Sequence, residues 1–262
     1  MKGFWYSTFS YLGYLLRSQS AHGLHSPFVF KLYTKAIRWR RTQYPEFPEV
    51  WRDKLQRNAN EISLSGYGAG SVSNDSKLIK VSVHASNSLK KKYENELLFR
   101  LLNHLKPSSL LELGTSFGVS SLYLRGACPK AFITTIEGEA SIYQIAKEQL
   151  EKYDIDTRLA DLDAELENIL SNTQYDCILF DANHTFEATL KYFQIAMKHI
   201  TNDSFFIIDD IYWSQEMTKS WHEIKKHKDV TVSLDLFHFG VVFFRKEQQK
   251  EHFTLRPFQL IH

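Results

Sequence analysis

SLLELGTSFG, residues 109–118, decides how the chain is read. Three leucines within SLLEL make a short apolar strand, and Gly114 and Gly118 then bracket a tight turn. Glycine permits both a left-handed backbone and a close approach of ligand to main chain, just where the next helix would start. That helix runs from Gly118 to about Arg125, so the stretch reads as strand, glycine turn, helix.

Downstream the alternation repeats. AFITTIE (131–137) is a strand, and 140–153 is a helix with Ile142, Ile145, Ala146 and Leu150 on one face. DTRLA (156–160) precedes a short helix over 163–170, YDCILFD (175–181) a helix over 186–199, and SFFIID (204–209) a helix over 214–226. Short apolar strands alternating with helices are βαβ units around a parallel sheet, and right-handed crossovers place helices on both faces. VTVSLDLF (230–237) and VVFFR (241–245) are separated only by a short turn containing Gly240, which predicts a closing β-hairpin. The expectation is a doubly wound α/β fold with a mostly parallel seven-stranded sheet ending in an antiparallel hairpin.

Residues 1–93 are aromatic, basic and irregular, and are expected to form a mainly helical cap on a domain spanning 94–262. ENELLFRLLNHL (94–105) leads as a helix into the first strand. KLYTKAIRWRR (31–41) reads as a basic helix, either a solvated face or a contact for an anionic substrate or surface. GYGAGSVSNDS (66–76) is a glycine-rich loop, a connector or a cover for a site.

Composition narrows the classes. With 262 residues, 43% hydrophobic, the chain can bury a large core, and 32 basic against 30 acidic residues give a net charge of +2. That balance gives no reason to expect nucleic acid. Cys128 and Cys177 form neither a disulfide framework nor a metal pair, which fits a reducing compartment. The aromatic N-terminus, interrupted by Ser7, Thr8, Ser10 and Gly13, makes a poor secretory leader, and no uncharged apolar run reaches 18 residues. A cytoplasmic protein with no membrane span is expected. Oligomeric state is left open, a homodimer included.

Ligands of open parallel sheets bind at the carboxyl ends of the strands. Strand two ends in Glu137, 19 residues after Gly118, where an acid accepts hydrogen bonds from ribose hydroxyls. The pattern E-x-G-x-x-x-G over 112–118 lacks the middle and third glycines of a dinucleotide fingerprint, which disfavours an NAD-dependent oxidoreductase. Glu112 is poorly placed for phosphate and better suited to a cationic amino-acid group. The stretch resembles motif I of class I S-adenosylmethionine-dependent methyltransferases, whose seven-stranded sheet also ends in an antiparallel strand. The resemblance spans roughly residues 94–246. It implies that Glu112, Gly114, Thr115, Ser116 and Gly118 surround the methionine part of S-adenosylmethionine, that Glu137 holds the ribose, and that Asp161 lies near adenine. The alternatives are a helix cap for Ser116, a solvated loop acid for Asp161 and a surface acid for Glu137.

FDANHTFE (180–187) is similar to a segment of catechol- and caffeoyl-CoA-type O-methyltransferases in which the strand-four aspartate is a metal ligand. The resemblance implies a divalent ion such as Mg2+ held by Asp181, Asp209 and Asp210, with Asp210 standing where that group has asparagine, and a base at His184, where catechol-type enzymes carry lysine. Three hard oxygen donors suit such an ion, and histidine is a competent base near neutral pH. Asp181 is also expected at the cofactor. Asp209 and Asp210 have a second reading, as caps of the helix near Trp213 or Ser214. HGLHSP (22–27) places His22 and His25 by a rigid turn, where they pack or reach toward the site. The wider text is similar to bacterial O-methyltransferases of unassigned substrate. A small hydroxylated acceptor follows from the resemblance. A flipped nucleobase does not fit, for no N-P-P-Y-type segment follows strand four. A non-catalytic nucleoside-binding protein on the same fold is the remaining alternative.

Overall fold

The computed structural model describes residues 2–38, 41–65 and 77–257. Ten strands are present among them: β1 (Glu61–Leu64), β2 (Lys77–Lys80), β3 (Ser109–Leu113), β4 (Phe132–Glu137), β5 (Asp156–Leu159), β6 (Cys177–Phe180), β7 (Phe205–Asp209), β8 (Val232–Asp235), β9 (Phe239–Phe243) and β10 (Glu251–Thr254). β1 and β2 form an antiparallel pair in the N-terminal region. The other eight make one sheet in the order β10-β8-β9-β7-β6-β3-β4-β5. Only β9 runs against its neighbours, pairing antiparallel with both β7 and β8.

The strands are apolar because both faces of the sheet are covered. Leu110, Cys177, Leu179, Phe205 and Ile207 point into one buried cluster, and Leu111, Leu113, Ile178, Phe180, Phe206 and Ile208 into the other. Period-2 alternation thus feeds two cores rather than one core and solvent. Each such side chain contributes on the order of 2 kcal/mol by leaving water. The helix Ala140–Leu150 buries Ile142, Ala146 and Leu150 along one stripe, with Ile145 half-buried beside them.

Two expectations change. The sheet has eight strands, not seven: β10 adds parallel to the outer edge of β8, with Phe253 buried. Residues 1–93 are mainly helical where described, with the β1–β2 pair among the helices. Gly240 is not in the hairpin turn but inside β9, where a Cβ would lie 2.6 Å from the Trp221 ring. The turn is 236–238, with Phe237 at φ +70°.

The cap packs on the first cluster through Leu24, Val29, Leu32, Tyr33, Ala36, Ile37 and Leu55. The basic segment from residue 31 is helical through Ile37 and turns Tyr33, Ala36 and Ile37 inward, while Arg100 Nε donates to the Ala36 carbonyl at 3.0 Å. The two ends of the chain are tied together. Tyr14, on the helix Lys2–Arg17, donates to the Leu255 carbonyl, the Gln19 amide donates to Thr254, and Arg256 Nη2 donates to the Leu15 carbonyl. The loop 66–76 lies outside the described residues, as does the side chain of His22. His25 is exposed and lines no part of the cleft described below.

Candidate active site

Four of the chain's bends gather at the carboxyl ends of β3, β6, β7 and β8. Ser116, Asn183, Asp210 and Phe237 all have positive φ, between +46° and +70°, and all line a single cleft. Left-handed backbone at non-glycine residues costs on the order of 1 kcal/mol each and collects where a binding surface demands it. The cleft encloses about 830 Å³, within the range of small-molecule sites.

The glycine turn forms its floor. Gly114 has φ +99°, and a Cβ there would stand 2.3 Å from the Asp181 carbonyl oxygen. The close approach that requires glycine is therefore first to the chain's own β6 end, and the Asp181 amide completes it by donating to the Leu113 carbonyl at 2.9 Å. Gly118, with φ +78°, caps the helix Val119–Ala127 against Leu150.

Glu112 and Thr115, expected beside the ligand, lie beneath the turn and do not line the cleft. Glu112 is fully buried and accepts from Ser120 at 2.6 Å, Thr135 at 2.7 Å and Ser121. Burial pushes its carboxyl up to about 7 despite these three donors. Thr115 shares a 2.6 Å hydrogen bond with Thr135. These groups brace the turn from below. A sequence pattern records that an acid is required at such a place, not which way it points.

Ser116 and Glu137 do face the cleft. Glu137 accepts from the amides of Ser116 at 2.8 Å and Glu139 at 2.9 Å, which fixes its carboxylate, while burial raises its pKa. Ser116 caps no helix, and Glu137 is no surface acid. Asp161 lines the cleft and also caps the helix Leu162–Asn172, accepting from Asp163 at 2.9 Å.

At the far end stand Asp181, His184, Asp209 and Asp210. Neither Asp209 nor Asp210 caps the next helix, because Ser214 does so by accepting from Met217 at 3.1 Å. Asp181, His184 and Asp209 each offer a ligand atom within 4.8 Å of the others. Asp210, expected as the third oxygen ligand, turns instead toward His184, its Oδ2 3.7 Å from Nε2. The same Nε2 is buried without a hydrogen-bond partner, 3.8 Å from Asp181 Oδ1. The donor set has the chemistry of a hard-cation site, but Lys90 Nζ already lies between the carboxylates, 2.7 Å from Asp181 Oδ1 and in contact with Asp209 Oδ2. A divalent ion does not fit there beside the ammonium.

Sequence reasoning missed Lys90, Glu94 and His238. Lys90 opens a run of three lysines, with nothing in its spacing to mark it. His238 sits in the hairpin turn, with Nδ1 3.1 Å from Glu94 and Nε2 3.1 Å from the Tyr93 hydroxyl. Burial lowers its pKa, against the pull of Glu94 and Asp210.

The charge of the cleft is uneven. Seven carboxylates line it (Glu94, Glu137, Glu139, Asp161, Asp181, Asp209 and Asp210) against two lysines, Lys90 and Lys91. Such a surface favours a ligand carrying positive charge and opposes a pyrophosphate.

Residues 111–211 match a family model described as a methyltransferase domain. No curated protein matches the chain. Among solved structures, the fold is shared with an S-adenosylhomocysteine-bound methyltransferase of Podospora anserina, with a TM-score of 0.55 at 13% identity over 79% of this chain and 99% of that one. An O-methyltransferase of Bacillus cereus in complex with S-adenosylhomocysteine gives 0.51 at 18% identity, covering 61% and 86%. A methyltransferase of Geobacter sulfurreducens gives 0.51 at 11%, covering 63% and 84%.

Proposed function

We propose that the protein is an S-adenosylmethionine-dependent methyltransferase that methylates a hydroxyl oxygen of a small molecule, a reading supported by the methyltransferase-domain model matched over residues 111–211 and by the fold shared with an S-adenosylhomocysteine-bound methyltransferase. The observation that carries the reading is the excess of carboxylates around the cleft, combined with the rigid acid at the end of β4. S-adenosylmethionine, when bound, supplies an electrophilic methyl carbon on a sulfonium and brings a second cationic group in its amino-acid part. Glu137, with its oxygens fixed by two amides, would hold the ribose hydroxyls. Ser116 and Gly114 would bound the methionine part, and Asp161 would lie toward the base.

The acceptor's place is the other half of the cleft, walled by Tyr212, Trp213, Phe237 and His238. His184 takes the acceptor's proton. A proton on its Nε2 makes ion pairs of the two near approaches to Asp181 and Asp210, at 3.8 and 3.7 Å. Apart from that proton, the chain's task is positioning, which alone supplies much of the acceleration of a two-substrate reaction. No described helix is long and apolar enough to cross a membrane, and a cytoplasmic enzyme acting on a dissolved acceptor suits that.

The test is calorimetric titration with S-adenosylhomocysteine and, separately, NAD, followed by methyl transfer from labelled S-adenosylmethionine to a panel of small hydroxylated compounds. Micromolar binding of S-adenosylhomocysteine, weakened at least tenfold in Glu137→Ala, is expected. Binding of NAD alone refutes the reading. Cofactor binding with no transfer to any hydroxyl, amine or thiol favours a non-catalytic binding protein.

A further inference from the structure

Lys90 does not belong to the strand–helix units that supply the other charges at this end of the cleft. It comes from the link 89–91, between the helices Val81–Ser88 and Lys92–Leu105, and it reaches across 119 residues of sequence to Asp209. Its side chain is only 10% exposed, and so are few of its surroundings: the Asp209 side chain is 5% exposed and that of Asp181 15%. Two carboxylates from the ends of adjacent strands cannot both stay ionised in so dry a place without a cation between them. The chain provides that cation itself.

We infer that Lys90 is the resident cation of this site, occupying the position between Asp181 and Asp209 where a divalent ion would otherwise sit. Two of the ammonium's three N–H donors face Asp181 and Asp209, and the third is left for an oxygen in the cleft. His184 fits the same arrangement. Its Nε2 lies 3.8 Å from Asp181 Oδ1, the oxygen that also meets Lys90, and 3.7 Å from Asp210 Oδ2, so the imidazole is oriented by carboxylates rather than by a metal. The ammonium then stabilises an acceptor oxygen as it loses its proton to His184. This last step rests on the proposed function; the occupancy of the site by Lys90 does not.

The experiment uses the full chain, freed of metal by chelation, and titrates Mn2+ by calorimetry and electron paramagnetic resonance into wild type, Lys90→Met and Lys90→Met/Asp209→Asn. Wild type is expected to bind no Mn2+ at this site below millimolar concentration, and its methyl transfer to be unchanged by EDTA. Lys90→Met, which keeps an unbranched side chain one atom shorter and without the charge, is expected to bind Mn2+ at least tenfold more tightly than wild type. That gain is lost again when Asp209→Asn is added. Stoichiometric micromolar binding of Mn2+ to wild type, abolished by Asp209→Asn, overturns the inference. So does a folded Lys90→Met variant with no greater affinity than wild type. Should Lys90→Met not fold, the wild-type titration decides alone. S-adenosylhomocysteine affinity is measured on the same samples: if it fails while wild type excludes Mn2+, the functional reading falls and the resident cation stands. If it holds while wild type binds Mn2+, the reverse applies.

Discussion

Replacing Glu112 by glutamine tests whether the acid beneath the glycine turn is held as a neutral, protonated group. Its ordinary value is 4.5, and complete burial pushes it up to about 7 in the folded chain. Between these values the folded state keeps a proton that the unfolded state has released. The associated stability is therefore fully present below about pH 4.5 and is lost as pH rises through 7. At about 1.4 kcal/mol per pH unit, the separation amounts to a loss of about 3 kcal/mol by pH 8. Glutamine mimics the protonated acid and does not titrate. Glu137, Asp181 and Asp235 are also raised by burial, but they contribute to both proteins and cancel in the comparison. The assay is urea unfolding, followed by tryptophan fluorescence, at pH 5 and pH 8. Wild type should lose about 2.5 kcal/mol more than Glu112→Gln over that interval, part of the effect being already lost by pH 5. Equal losses, within about 0.5 kcal/mol, would refute a neutral Glu112.

Gly114→Ala places a Cβ against the Asp181 carbonyl at a backbone angle alanine avoids, so it should destabilise the chain by about 2 kcal/mol or more and abolish S-adenosylhomocysteine binding, read by denaturation and calorimetry. Gly240→Ala, 2.6 Å from the Trp221 ring, should lower the melting temperature by several degrees while leaving cofactor affinity within twofold, since neither Gly240 nor Trp221 lines the cleft. His184→Gln should cut methyl transfer by about a hundredfold or more, with cofactor affinity retained; turnover within threefold of wild type would remove His184 from the role of base.

The parallel-sheet part of the fold was legible because its strands are buried on both faces and its helices on one. SLLEL and FFIID admit only one reading, and the helix 140–150 shows its stripe in the spacing of Ile142, Ala146 and Leu150. The site was legible only where a residue's type and its position on a strand end coincide, as for Gly114, Glu137, Asp181 and Asp209. Glu112 satisfies the same pattern yet points into the core, because its partners Ser120, Ser121 and Thr135 come from the following helix and the neighbouring strand. Gly240 read as a turn because a glycine between two strands usually makes one, whereas here an indole demanded the space. Lys90 and His238 could not be found at all, for each acquires its partners only through the tertiary fold.

The tie between the two ends of the chain has a consequence for biosynthesis. The Tyr14 hydroxyl waits for the carbonyl of a residue 241 positions later, and at roughly 5–20 residues per second that delay is roughly ten seconds to a minute. Throughout it, the aromatic helix Lys2–Arg17 has no β10 to close on. The purified chain truncated after residue 245 should be cut within that helix by dilute protease, and the full chain should resist. Because Tyr14, Gln19 and Leu15 find these partners only in residues 254–256, β10 and the residues after it act as a checkpoint on the placement of the helix Lys2–Arg17.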